Sequence, residues 1–209
     1  LVPGLLFTNA MRDIIYGDTN SGVNRIVQVL LIAMAIALGT AAGWGVTAGI
    51  WLHTETTQTI VYSWPVQCIV CLLGCVGFGI LFNVHSLGLP LCAIGGCLTW
   101  LIYLVAFKFT QNIYVANFWA TAFAAAYSEI LARIRKYPAL SYLVVSLFPL
   151  LPGAGIYYTM GYALRGNVNL AVHKGLETAA VAGVMAVGIL LVSTATRALN
   201  IWYAQRKKA

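Results

Sequence analysis

The sequence predicts an all-α integral membrane protein with about six transmembrane helices, one of them broken at a Pro-Gly pair. Hydrophobic residues make up 61% of the 209 residues and charged residues 8%, whereas soluble domains are roughly half apolar and a quarter charged. Several apolar segments reach the ~20 residues that a helix needs to cross a bilayer. The net charge is +7, but the 12 Lys and Arg residues lie between and after these segments. This distribution is typical of topology signals and argues against binding of nucleic acid.

Six apolar segments follow the opening stretch, and we interpret each as a helix. Their approximate limits are residues 26–51, 60–82, 87–107, 113–132, 139–164 and 172–198. If the opening stretch is cytoplasmic, nine basic residues lie inside and three outside: Arg12, Arg25, Arg133, Arg135, Lys136, Arg197, Arg206, Lys207 and Lys208 against Lys108, Arg165 and Lys174. The positive-inside tendency therefore predicts that both ends of this multi-pass chain face the cytoplasm. We expect the membrane to be a plasma (inner) membrane of the prokaryotic type.

An internal repeat relates the start of the chain to its last third. A shift of 149 residues aligns residues 1–39 with residues 150–188 without a gap, and ten of the 39 pairs are identical. The matches include Pro3 with Pro152 and Gly4 with Gly153, which are not simply apolar matches. The helix at 26–51 then corresponds to the helix at 172–198, five helices later, so the second copy is inverted.

This arithmetic predicts the domain organisation. Residues 1–51 are the tail of a first membrane repeat, and residues 52–209 are a complete second repeat of five helices. We expect a missing upstream membrane domain, supplied in cis or as a second subunit. Inverted repeats are a hallmark of secondary transporters, in which the substrate binds near the midplane between the copies.

Pro149, Pro152 and Gly153 fall near the centre of one apolar segment. Proline removes a backbone donor and clashes with the preceding turn, while glycine tolerates unusual angles, so the helix should break there. A half-helix starting after Pro152-Gly153 would carry free N–H groups and a positive dipole end. Its counterpart after Pro3-Gly4 would point the opposite way, so that two positive ends could face one cavity. A small carboxylate-bearing molecule is the natural ligand; an ordinary proline kink is the alternative.

Polar residues follow each break and complete the predicted site. One helical turn on, they could hydrogen-bond an ammonium or hydroxyl group of the ligand. Asp13 is the best candidate for a proton-coupling carboxylate, although Arg12 beside it also fits a solvated helix end. The predicted substrate-binding residues are Pro3, Gly4, Thr8 and Asn9 in the first copy and Pro152, Gly153, Tyr157, Tyr158 and Thr159 in the second.

The five cysteines all lie in apolar runs, where they can pack as small hydrophobic residues. The Cys68–Cys71 pair has CxxC spacing but lacks His or acidic neighbours on its helix face, so the sequence predicts no metal and no cofactor. No Ser-His, paired-Asp or HExxH arrangement lies within the spans, so an intramembrane enzyme is not expected.

Two stretches resemble one known family. LVPGLLFTNAMRDIIYGDTNSGVNR is similar to the signature that closes the first membrane domain of the threonine/serine exporter family, and PLLPGAGIYYTMGYALRGN is similar to its counterpart in the second domain. The resemblance covers nearly the whole chain. It implies two five-helix domains and proton-driven efflux of threonine and serine. Some relatives are organised as two subunits that export a dicarboxylate such as succinate.

The leading interpretation is therefore a secondary exporter working by alternating access, surrounded by membrane lipid and carrying an amino acid. Three alternatives stay open at this point: a subunit of a dicarboxylate exporter, a channel for a small solute, and a membrane scaffold that does not transport. A helix end recognises one carboxylate in either substrate class, so the sequence does not choose between them.

Overall fold

The computed structural model describes residues 3–47, 62–84 and 87–206, and these contain helices and no strand. The predicted domain boundary at residues 51 and 52, with Leu1, Val2, Lys207 and Lys208, lies outside the described residues. The helices are α1 (Gly4–Ile15), α2 (Thr19–Thr47), α3 (Trp64–Leu81), α4 (Gly88–Thr110), α5 (Ile113–Arg135), α6 (Ala139–Leu147), α7 (Gly153–Leu164) and α8 (Val168–Arg206).

Helices α2 to α8 overlap the predicted apolar segments. Within the described residues, four are long and apolar enough to cross a membrane: Thr19–Thr40, Trp64–Leu81, Gly88–Thr110 and Val168–Asn200. Helices α6 and α7 together pass the same test as one broken span, which makes five. Helix α5 has 23 residues, but polar side chains such as Asn117, Ser128 and Glu129 lower its hydropathy. The all-helical membrane class is thus confirmed, while the count of six spans stays a prediction.

The predicted break interrupts the segment 139–164. Helix α6 ends at Leu147, one 3₁₀ turn covers Phe148–Leu150, and α7 begins only at Gly153. Between them Leu151 takes an extended conformation, with φ −57° and ψ 125°, which no α-helix contains. The chain therefore has no continuous helix across the Pro-Gly pair, as the proline and glycine content predicted.

The chain divides into two compact units. The first comprises residues 1–63 and 152–182, and the second comprises residues 64–151 and 183–209. The first unit contains α1, α2, α7 and the first part of α8. Here α1 packs against α2, and both contact α7. An apolar cluster of Val29, Ala33 and Ile156 forms its core, with Leu6, Phe7 and Met160 packed against it.

The second unit contains α3 to α6 and the rest of α8. Helices α3, α5 and α6 all pack against α4, around a core that includes Cys75, Cys92 and Val145. Glycine allows the close approach of α3 and α4, because a Cβ on Gly96 would overlap the Cys75 side chain. Small residues at such contacts are typical of helices that associate in lipid.

Polar groups fix the ends and the interior of this second unit. The side chain of Asn112 caps α5 by accepting hydrogen bonds from the backbone N–H groups of Tyr114 and Val115, at 2.9 and 3.3 Å. The Tyr127 hydroxyl on α5 donates to the carbonyl of Leu91 on α4, at 2.8 Å. Interhelical bonds of this kind are favourable where no water competes for the carbonyl.

Candidate functional site

The two Pro-Gly breaks have the same backbone conformation. Pro3 has φ −78° and ψ 40°, and Pro152 has φ −77° and ψ 40°. Each proline precedes a helix of 12 residues, and the two helices begin and end at positions 149 residues apart. After them come Gly17 and Gly166, with φ of 92° and 77°, a region that favours glycine. The two stretches that the repeat aligns thus share their local structure from the break to the next helix.

Each break leaves the amino-terminal end of a helix without a side-chain cap. The first helical hydrogen bonds run from the N–H of Phe7 to the carbonyl of Pro3, at 3.0 Å, and from Ile156 to Pro152, at 3.4 Å. The N–H groups of the three residues before each donor therefore precede the first helical bond. In the described part of the chain, no side chain accepts from these two ends. Such ends attract anions.

All ten residues predicted for the site belong to the first unit, and α1 contacts α7 there. Pro3, Gly4 and Gly153 are buried, whereas Pro152 is half-buried. The starts of α1 and α7 therefore belong to the same compact unit. From the sequence alone, this was expected only if the predicted repeat is real.

The two threonines that follow the breaks use their hydroxyl protons within their own helices. Thr8, which is 1% exposed, donates to the carbonyl of Gly4 at 3.1 Å, and Thr159 donates to the carbonyl of Gly155 at 2.7 Å. Each hydroxyl oxygen keeps lone pairs and so can act as an acceptor. Asn9 is half-buried on α1.

The two tyrosines after the second break differ in their surroundings. Their rings meet edge to face, with centroids 5.5 Å apart. The Tyr158 side chain is exposed, whereas Tyr157 is half-buried and forms a hydrogen bond with Thr40 of α2 at 3.2 Å. Thr40 is absent from the predicted site because it lies in an apolar stretch and 117 residues away from its partner.

Asp13 forms an ion pair with Arg25 of α2, with 2.7 Å between Oδ2 and Nη1. The Asp13 side chain is 16% exposed and that of Arg25 40%. The contact is electrostatic, because Oδ2 has no partner with the geometry of a hydrogen bond. The sequence put Arg12 forward as the neighbour of Asp13, but Arg25, 12 residues away, provides the charge that this carboxylate faces.

Close packing in the second copy surrounds the start of α7. A Cβ on Gly155 would overlap the side chain of Thr178 on α8, and one on Gly175 would lie 3.2 Å from Thr159 Cγ2. In the first copy, the positions equivalent to Gly155 and Thr178 are Leu6 and Val29, which belong to one apolar cluster. Each helix start is therefore packed against the following helix at matching positions.

Other features lie away from the breaks. A cavity of about 140 Å³ in the second unit is lined by Phe82, Asn83, Val84, Gly88, Tyr137, Ser141 and Tyr142, none of which was predicted for the site. All five cysteines are free thiols. Within residues 3–47, 62–84 and 87–206, no three His, Cys, Asp or Glu side chains form a group that could hold a metal ion.

The long apolar helices and the broken span define a multi-pass helical membrane protein. A family model described as "Threonine/Serine exporter, ThrE" matches residues 67–195, and a second model of a threonine/serine exporter family matches residues 1–47. The chain belongs to the threonine/serine exporter family, as the two signature stretches predicted. Neither a curated protein nor a solved structure matches the chain.

Proposed function

We propose that this chain takes part in the export of threonine and serine by proton-coupled alternating access, with the two Pro-Gly helix starts forming the substrate site. Membership of the exporter family supports export across a membrane. The observation that carries the proposed site is the matched pair of breaks, in which Pro3 and Pro152 share one backbone conformation and lead into uncapped helix starts.

The chemistry of the substrate fits these groups. A carboxylate accepts hydrogen bonds from the N–H groups at the two helix starts, where the helix dipole favours negative charge. The ammonium and hydroxyl groups of the amino acid need acceptors, and the oxygens of Thr8, Asn9, Tyr157 and Thr159 offer them. In this proposal the two copies are inverted and the site lies near the midplane, so that moving one copy exposes the site to either side.

Asp13 is proposed as the proton-coupling group. Its ion pair with Arg25 joins α1 to α2 while the carboxylate is ionised. Protonation removes the negative charge and with it the attraction, so that α1 and α2 gain freedom to separate. A proton gradient would then bias the position of the first helix start. Residues 1–51 act in this scheme as the tail of one repeat and residues 52–209 as the other, with both ends in the cytoplasm.

The test is export by the full assembly in inside-out plasma-membrane vesicles under an imposed pH gradient. Pro152→Ala combined with Gly153→Ala replaces the break by helix-forming residues, and we expect threonine uptake to be lost while membrane insertion persists. Gly161→Ala is the matched control, because its Cβ meets nothing within 4 Å in the same helix. Wild-type rates from the double variant would contradict the proposed site.

The same vesicles separate the other classes. An exporter saturates with threonine and stops when an uncoupler collapses the pH gradient. Flux without saturation or proton dependence would indicate a channel instead. Transport that is unchanged by Asn9→Ala, Asp13→Asn and Tyr158→Phe would indicate a scaffold whose partner carries the substrate.

A further inference from the structure

The Thr40–Tyr157 hydrogen bond joins the last helix of the first copy to the broken helix of the second. The two hydroxyl oxygens are 3.2 Å apart, and both residues belong to the first unit. Tyr157 is the fifth residue of α7, one turn beyond Gly153. Helical side chains lean towards the amino-terminal end of their helix, so the phenol extends from its backbone in the direction of the uncapped helix start.

The direction of this hydrogen bond follows from counting protons. The Thr40 hydroxyl has one proton, and its oxygen lies 3.0 Å from the carbonyl oxygens of both Ile36 and Ala37. Carbonyl oxygens only accept, and both lie closer to the Thr40 oxygen than the Tyr157 oxygen does, so we place the Thr40 proton within α2. We therefore assign Tyr157 as the donor in its bond with Thr40, in which either hydroxyl can donate by geometry alone.

Once its proton is committed, the Tyr157 oxygen can offer only lone pairs to a ligand. A ligand whose carboxylate sits on the helix start, and which carries a donor beside that carboxylate, satisfies both groups. A dicarboxylate instead places its second carboxylate opposite the Tyr157 oxygen. Both groups are acceptors, so no proton is available for a hydrogen bond between them. Sites built around a polar partner reject ligands that cannot supply it.

We infer that Tyr157, held as an acceptor by Thr40, makes the site prefer a carboxylate that carries an adjacent ammonium or hydroxyl group over a dicarboxylate. Thr40 is a positioning residue that acts through Tyr157. This inference rests on the proposed substrate site at the helix starts, and it assigns the discrimination between the two substrate classes to one oriented phenol.

The test compares threonine with succinate in the same vesicle assay. Thr40→Val removes the hydroxyl oxygen that accepts the Tyr157 proton. The Tyr157 hydroxyl is then free to donate its proton to the ligand. We expect the KM for threonine to rise and the inhibition constant of succinate to fall. Because one hydrogen bond contributes about 1 to 1.5 kcal/mol, the ratio of the two constants should change by about tenfold.

Matched variants isolate the hydroxyl. Thr40→Ser keeps it and should retain the wild-type ratio. Thr196→Val removes a hydroxyl that bonds only its own helix, to the Ser193 carbonyl at 2.9 Å, and should also leave the ratio unchanged. Tyr157→Phe should weaken threonine binding, and adding Thr40→Val to it should have no further effect on the ratio.

Two outcomes overturn the inference. One is a wild-type ratio in a Thr40→Val protein that transports. The other is equal loss of transport in Thr40→Ser and Thr40→Val, which would show that the hydroxyl is not the cause. Either result leaves the proposed site standing if Pro152→Ala with Gly153→Ala still abolishes transport, so the two failures are distinguishable.

Discussion

Replacing Gly155 with alanine should destabilise the contact between α7 and α8 at the start of the broken helix. The added Cβ would overlap Thr178 Oγ1 and would lie 2.9 Å from Cγ2 and 3.1 Å from Cβ. A β-branched side chain is stiff, and the short distance to its Cβ means that rotation about χ1 does not relieve the overlap. The two helices must therefore move apart.

The magnitude follows from two opposing effects. Overpacking of this kind costs about 1–3 kcal/mol, and alanine regains up to about 1 kcal/mol over glycine in a helix. With the full regain the net loss is about 0–2 kcal/mol, which lowers the Tm of a chain of this size by up to about 8 °C. Thermal unfolding of the detergent-solubilised protein, followed by tryptophan fluorescence, measures the shift.

Two further variants make the experiment decisive. Gly161→Ala adds the same methyl group to the same helix but meets nothing within 4 Å, so its Tm should stay level or rise. Thr178→Ala removes the Oγ1 and Cγ2 atoms that the Gly155→Ala methyl group would overlap. The double variant should therefore recover at least half of the decrease in Tm. Equal Tm values for Gly155→Ala and Gly161→Ala would show that α7 and α8 do not touch there.

Three other predictions follow from the same structure. Asn112→Ala removes the cap of α5 and should lower stability by about 0.5–2 kcal/mol, whereas Asn112→Asp should keep most of it, as thermal unfolding will show. Gly96→Ala should lower the Tm by forcing α3 from α4, and Cys75→Ala should restore it in the double variant; no restoration would contradict the close approach. Asp13→Asn removes the charge that faces Arg25, so threonine accumulation driven by a pH gradient should fall to the level without a gradient while threonine–threonine exchange continues.

The sequence predicted the membrane-spanning helices well because most of them carry a long apolar run. The limits were less accurate where a helix continues into polar residues. Helix α2 was expected from residue 26 but begins at Thr19, and α8 was expected from residue 172 but begins at Val168. The apolar pattern covers only the part of a helix that is in contact with lipid or with the protein core. The backbone hydrogen bonds of the helix continue into the polar residues on either side.

The breaks were predictable for a different reason. Proline and glycine act on their own backbone, so their effect on Pro152-Gly153 can be read locally. The contacts across helices could not be read in this way. The Thr40–Tyr157 hydrogen bond and the Asp13–Arg25 ion pair each depend on which faces meet after folding. Nothing in the spacing of either pair indicates its partner.

The two stretches that the predicted repeat aligns have low sequence identity although their local backbone structure is the same. The backbone requires Pro and Gly at the breaks and a residue that tolerates positive φ at the turns, and these positions match. At the contact after each break, the copies distribute volume differently. Leu6 packs in one cluster with Val29, whereas the equivalent Gly155 leaves space for Thr178. The sizes of two side chains that pack together therefore change together. An alignment scores each position separately and so counts such a contacting pair as two mismatches.

The charged groups diverge in a way that the backbone does not. Arg25 pairs with Asp13 on the neighbouring helix, whereas Lys174, its equivalent in the second copy, pairs with Glu177 on its own helix at 3.0 Å. The position equivalent to Asp13 is Tyr162, which offers no carboxylate. Both aligned stretches thus contain an uncapped helix start, but among the described residues only the first stretch ties its half-helix to the next helix by an ion pair. In the proposed mechanism a substrate carboxylate uses both helix starts, whereas a proton releases only the half-helix that carries Asp13. In the proposed mechanism this difference makes α1, rather than α7, the helix start that responds to the proton gradient.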